Sequence, residues 1–248
     1  MNTYFKILAS NKGKGEFKAV KSDGEATIYL YDAIVNSDEE AEWFGGVAPK
    51  AFIKELKSIN EPVINIRINS PGGSVFAARA MEQALRDHPA KVVAHIDGYS
   101  ASAASFLMMA ADEIVISQGA LVMIHKAWTM AYGNANDLIQ TADLLDKIDS
   151  TLIETYSSRT KQEASKISEW MAAETWFTAQ EAVDAGFADR VADTKAKAQA
   201  WDLSAYANAP KAEKEQSAPI EPQPEPVQAK PEFDKAAALR LLEVIARI

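Results

Sequence analysis

The chain has 248 residues, enough for one sizeable core and an appendage, and 48% apolar with 25% charged residues is the balance of a globular protein. Its 26 basic against 35 acidic residues give a net charge of −9, which argues against the basic footprint that nucleic-acid binding needs. Without cysteine there is no disulfide, no thiolate metal site and no cysteine nucleophile. In chain order, the opening stretch MNTYFKILASNKGKGEF has a broken apolar patch and no continuous hydrophobic region, so it does not read as a signal peptide. ATIYLYD, VINIRIN, KVVAHID, EIVIS and LVMIH are short, rich in Val and Ile, and read as strands. Between them the pattern predicts helices over 48–59, 75–87 and 102–111. Such alternation predicts an α/β body of repeated β-α units on a mainly parallel sheet. A longer helix over 135–159 carries Leu138, Ala142, Leu145, Ile148, Leu152 and Tyr156 on one face. Another helix starts at Thr178, where Glu181 completes a capping box, and stops at Gly186. The longest run of small and apolar residues, 103–111, is far below the roughly 20 that a membrane span needs, so no membrane association is expected and the location is read as cytoplasmic.

Composition changes near residue 205. Six of the ten prolines lie between Pro210 and Pro231, and residues 207–232 hold only Ile220 and Val227 as large aliphatics. Such a segment cannot bury enough surface to offset its ordering entropy. The division expected is a body over 1–204, a disordered Pro-rich tail over 205–232, and a short amphipathic helix over 233–248 with Phe233, Ala237, Leu241, Val244 and Ile248 on one stripe.

The chemistry centres on GYSASAASFLMM, residues 98–109, where Ser100, Ser102 and Ser105 stand among small and apolar residues. A nucleophilic serine needs a base, a group that orients the base, and N–H donors for the oxyanion. Of three histidines, His88 sits in a polar turn and reads as exposed, and His95 lies inside a strand and reads as a sheet residue. His125 ends the strand LVMIH, where parallel strands deliver residues to a ligand rim. A tight strand-to-helix turn with small neighbours suits Ser102, but spacing alone does not choose among the three serines. NSPGGSV, residues 69–75, joins a strand to a helix, and Gly72-Gly73 lets a backbone approach a ligand closely. From the glycine pair alone, an ordinary strand–helix turn is the favoured reading. No Gly-Lys-Ser/Thr follows, so it is not a nucleotide P-loop.

INSPGGSV, GYSASAASFLM, MIHKA and ETWFTAQEAVDAGFAD occur in the order and spacing of the ClpP family of serine peptidases. Over residues 24–193 the chain resembles that family, most closely its phage-encoded head maturation branch. The resemblance implies a ClpP/crotonase-type fold with a protruding handle helix at 133–160. It implies Ser102 as nucleophile, His125 as base, and the backbone N–H groups of Gly73 and Ala103 as oxyanion donors. Where ClpP proper has aspartate, this chain has Glu174, which the resemblance makes the third triad member. It implies no metal or cofactor, and a homo-oligomeric ring of seven subunits, single or stacked, acting on scaffold or capsid protein. The N-terminus is unlike the flexible loop by which ClpP contacts an ATP-driven unfoldase, so an ATP-independent endopeptidase is expected. The rival readings are a catalytically dead ring-forming scaffold and, sharing the fold, a crotonase-like acyl-CoA enzyme.

Overall fold

The computed structural model describes residues 3–22, 24–195 and 201–210. Among these, eight strands form one sheet with the order β1-β2-β3-β4-β5-β8, and β6 pairs β4 and β7. The strands are β1 (Glu16–Ser22), β2 (Glu25–Tyr31), β3 (Val63–Ser70), β4 (Lys91–Ala101), β5 (Glu113–Gln118), β6 (Leu121–Ile124), β7 (Thr175–Thr178) and β8 (Arg190–Lys195). The pairs β2–β3, β3–β4, β4–β5, β4–β6 and β5–β8 are parallel, while β1–β2 and β6–β7 are antiparallel. The mainly parallel sheet agrees with the alternating pattern. The flanking strands β1, β7 and β8 lack the dense Val/Ile runs of central strands, so periodicity passes over them.

The helices are α1 (Thr3–Asn11), α2 (Asp38–Phe44), α3 (Pro49–Lys57), α4 (Val75–Arg86), α5 (Ala103–Leu107), α6 (Ala135–Thr160), α7 (Ala164–Ala172) and α8 (Ala179–Asp184). Their boundaries follow local chemistry. Proline at N1 opens α3, where its missing N–H costs nothing. Capping boxes open α6 at Asn134/Asp137 and α8 at Thr178/Glu181. In β3, Ile64, Ile66 and Ile68 point into the core with no exposure. On the opposite face Arg67 reaches Asp97 on β4 through two hydrogen bonds of 2.8 and 2.5 Å. The same carboxylate accepts the Tyr31 hydroxyl, so a partly buried charge is both paired and hydrogen-bonded.

Two features position the site. First, β4 changes neighbour along its length: Val93–Ile96 pair with β5, and Tyr99–Ala101 pair with β6. A cleft therefore opens at the carboxyl end of β4, where open α/β sheets bind ligands. Second, α6 buries Leu152 and Tyr156 in its C-terminal half, whereas Leu138, Ile139 and Leu144 nearer its start are 46–59% exposed. The apolar stripe expected along the whole helix is thus buried in its second half only.

The compact unit ends at Pro210. Residues 205–210, assigned by composition to the tail, pack on the body instead, with Tyr206 buried. The reason is that Trp201, Leu203 and Tyr206 supply apolar surface in a stretch otherwise poor in it, and they join Ile7, Ala101 and Met123 in one cluster. The expected 233–248 helix and the rest of the tail lie outside the described residues. No helix among the described residues is long and apolar enough to cross a membrane.

Candidate active site

Ser102 occupies the N-cap of α5, one residue beyond β4, with φ 52° and ψ −122°. A non-glycine residue in that region is strained by about 1–3 kcal/mol and persists only where its surroundings hold it. Here the holding is visible. The Ser102 N–H donates to the Met123 carbonyl at 2.9 Å, continuing the β4–β6 register in which Ala101 faces Met123. That same register carries His125, two residues beyond Met123, to the serine. Ser102 Oγ lies 2.7 Å from His125 Nε2, so the hydroxyl is in direct hydrogen-bond contact with an imidazole.

The other two serines are accounted for structurally. Ser105 donates to the Ser102 carbonyl at 2.6 Å and is 2.7 Å from the Tyr156 hydroxyl. With its proton committed to Ser102, Ser105 accepts the proton of Tyr156. Ser100 is fully buried, and its hydroxyl has no hydrogen-bond partner among the described residues.

Gly72 and Gly73 bring the β3–α4 loop against the same turn. Ile34 donates to Gly72 O at 2.8 Å and accepts from Ser74 N at 2.9 Å. In this parallel bridge Ile34 makes both bonds, so the N–H of Gly73 faces away from it. A Cβ on Gly73 would sit 2.0 Å from Ile34 O, and one on Gly72 would sit 2.5 Å from Ala101 O and 2.9 Å from Ala103 N. Their φ values are 146° and 88°. Only glycine permits this approach. Ala103 is the first residue of α5, so its N–H has no intrahelical acceptor. The two N–H groups expected as oxyanion donors therefore belong to backbones in close contact beside Ser102.

His125 keeps a partly exposed edge, but protein surrounds most of the ring. Desolvation pushes its pKa from 6.5 down to about 4, against an upward pull from the Glu174 carboxylate. Glu174 has φ 49°. Its carboxylate accepts the backbone N–H groups of Ala207 (3.1 Å) and Asn208 (2.6 Å), and Trp176 Nε1 at 3.4 Å. No hydrogen bond joins it to His125 among the described residues. The structure thus brings Ser102 and His125 into contact and leaves Glu174 acting on the imidazole through its charge. A glutamate with its carboxylate already satisfied by two backbone donors has little call to reach further.

His95 bonds Asn65 Oδ1 at 3.0 Å and is a sheet residue as expected. His88 is half-buried rather than exposed. Its Nδ1 accepts the Ala90 N–H and its Nε2 bonds the Ile59 carbonyl, so the ring closes a turn. No group of acidic and histidine side chains among the described residues is arranged to hold a metal ion. Sequence reasoning passed over Tyr206, whose ring stands edge-on to the His125 ring at 5.4 Å. The signal was there in Trp201 and Tyr206, aromatic residues flanking the start of a polar tail.

A serine thus contacts an imidazole on a strained strand-to-helix turn beside a glycine loop. The Clp protease family profile matches residues 48–195, and the chain belongs to that family. It is 31% identical over 133 residues to the ATP-dependent Clp protease proteolytic subunit 1 of Leifsonia xyli subsp. xyli, covering 53% of this chain and 68% of the relative. It is 31% identical over 169 residues to the subunit of the same name from Protochlamydia amoebophila, covering 66% and 79%. With the Chlorella vulgaris proteolytic subunit the identity is 32% over 133 residues, covering 52% and 66%.

Proposed function

We propose that the protein is a serine endopeptidase in which Ser102 is the nucleophile and His125 the general base. The observation that carries this is the 2.7 Å contact between Ser102 Oγ and His125 Nε2. In the reaction, Oγ attacks the carbonyl carbon of a peptide bond as its proton passes to Nε2. The carbonyl oxygen becomes an oxyanion and accepts from the N–H groups of Gly73 and Ala103, aided by the short helix that starts there. On collapse the C–N bond breaks, and the proton on Nε2 goes to the departing amine. Water then attacks the acyl ester, gives its proton to His125, and releases the carboxylic acid while Oγ regains a proton. Glu174 stabilises the imidazolium of both steps through its charge.

The cleft beside Ser102 is about 280 Å³ and is bordered by Gly73–Phe76, Ala127–Thr129 and the inner side of α6. That volume suits side chains of an extended peptide laid along the loop rather than a large bound group. A crotonase-like role finds less support, because the chemistry of an acyl-CoA enolate has no use for the Ser102–His125 contact.

The finer reading is cleavage of scaffold or capsid protein during phage head maturation, by a homo-oligomeric ring that needs no ATP-driven unfoldase. It rests on the resemblance of the motifs. The relatives above are named as ATP-dependent subunits, so this reading sets the chain apart from them.

The test is treatment of the full chain with a fluorophosphonate, followed by peptide mass analysis. A single adduct on Ser102 and hydrolysis of a peptide substrate are expected. No adduct and no hydrolysis would identify a catalytically dead scaffold. Incubation without ATP with the capsid and scaffold proteins of the same genome tests the finer reading, and uncut proteins would defeat it.

A further inference from the structure

Residues 201–210 lie beyond the part of the chain that matches the Clp protease family, yet they contact His125, Glu174 and the residues that flank Ser102 and Gly73. Trp201 Nε1 donates to Asn69 O at 3.1 Å, and the Tyr206 hydroxyl donates to Pro71 O at 2.5 Å. Asn69 is the penultimate residue of β3, and Pro71 opens the loop that presents Gly73. The Tyr206 ring stands at 89° to the His125 ring, and on another side it meets Trp176 at 5.9 Å. Immediately after it, Ala207 and Asn208 give their N–H groups to Glu174, and Asn208 Nδ2 holds Ala173 O at 2.8 Å. Underneath, Trp201, Leu203 and Tyr206 pack against Ala101 and Met123, the residue before Ser102 and the acceptor of its N–H.

We propose that this segment completes the catalytic site, with Tyr206 as a positioning residue that fixes Ser102, His125 and the Gly72-Gly73 loop relative to one another. The inference rests on the serine peptidase reading above. The chemistry of the hydroxyl supports it. The hydroxyl gives its one proton to Pro71 O, so the ring that meets His125 is tied to the loop that presents Gly73. Burial raises the Tyr206 pKa further, so this donor stays protonated.

An alternative role for such a segment is an inhibitory strap. Its placement argues otherwise. The cleft runs along Gly73–Phe76, Ala127–Thr129 and α6, and no residue of 201–210 lines it. The segment braces the far side of His125 and leaves the approach to Ser102 open.

The test compares Tyr206→Phe and Tyr206→Ala with the wild-type full chain, using a peptide ester and the NMR titration of His125. Tyr206→Phe keeps the ring and loses the bond to Pro71 O. It is expected to lower kcat roughly 10–100-fold, the scale on which small misplacement of reacting groups acts, with KM changed less than about twofold. Tyr206→Ala also opens His125 to water and is expected to move its pKa up toward 6.5. Wild-type kcat in Tyr206→Phe together with an unmoved His125 titration in a folded Tyr206→Ala would overturn the proposal. A rise in kcat in either variant would also overturn it, in favour of the strap. If the wild-type chain itself neither turns over the ester nor takes up a fluorophosphonate, the peptidase reading fails. The His125 titration still reports on the positioning role in that case.

Discussion

The Glu174 carboxylate accepts the Asn208 N–H at 2.6 Å, so the acid of the candidate triad is anchored to the segment 201–210 and not to the His125 ring. The interaction with His125 that remains is through space, and it favours the protonated ring.

Replacing Glu174 by Gln removes that charge while keeping the shape. Loss of a directly bonded triad acid costs on the order of 10⁴ in kcat. Here the expected loss is smaller, about 10–100-fold, because only a through-space charge is lost. His125 should titrate lower in the variant, since the pull that raises its pKa is gone. A defect as large as that of His125→Ala, measured on a peptide ester, would show that Glu174 bonds the imidazole directly during turnover.

Ser102→Ala is expected to abolish both hydrolysis and fluorophosphonate labelling. Ser100→Ala removes a buried hydroxyl without a partner among the described residues and should leave stability unchanged or slightly raised. Ser105→Ala leaves the Tyr156 hydroxyl without its acceptor and should cost about 1–3 kcal/mol in denaturant unfolding. Labelling at Ser100 or Ser105 in place of Ser102 would contradict this assignment of roles.

The depressed pKa of His125 has two consequences with pH. As the base, His125 is competent when neutral, so the acid limb of kcat/KM should fall near pH 4 and not near 6.5. For stability, the unfolded chain binds the His125 proton more readily between pH 6.5 and about 4, so this contribution is complete above 6.5 and declines as pH drops across that window. Chemical denaturation at pH 7 and pH 4.5, with His125→Gln as reference, isolates it. A variant with the same pH dependence as wild type would show that the ring is well solvated.

Gly73→Ala should be more damaging than its single methyl group suggests. The new Cβ would lie 2.0 Å from Ile34 O at a φ of 146°, so the loop must move away from Ile34 and carry its N–H with it. We expect loss of more than about 100-fold in kcat, the scale of removing one oxyanion donor. Near-normal turnover in Gly73→Ala would show that this N–H makes no contact in the transition state.

Leu138, Ile139 and Leu144 leave about half of each side chain in water on α6, a cost that contact with another copy would relieve. Changing Leu138 and Leu144 together to Lys is expected to reduce the assembly measured by light scattering. An unchanged mass would place the subunit contacts elsewhere.

Much of the site was legible in the residues because its determinants are local. A strand's alternation, a capping box and a glycine pair act within a few positions, and NSPGGSV, GYSASAAS and LVMIH each announce a turn or strand end at the sheet's rim. Choosing Ser102 over Ser100 and Ser105 on spacing alone was beyond reach, since all three have small neighbours. That choice depends on resemblance; in the structure the β4–β6 register sets Ala101 against Met123, and Ser102 is the serine that meets His125. The surroundings of Glu174 were hidden for a stronger reason. Its partners lie 33 and 34 residues away, and Tyr206 meets Pro71 across 135 residues. Hydrogen bonds over such distances leave no periodic trace, because each is made by a backbone group that every residue carries or by one side chain in a polar stretch. The α/β alternation and the candidate serine and histidine are written in local residue patterns. Only the tertiary structure, by folding residues 201–210 back under Ala101 and Met123, decided what holds them.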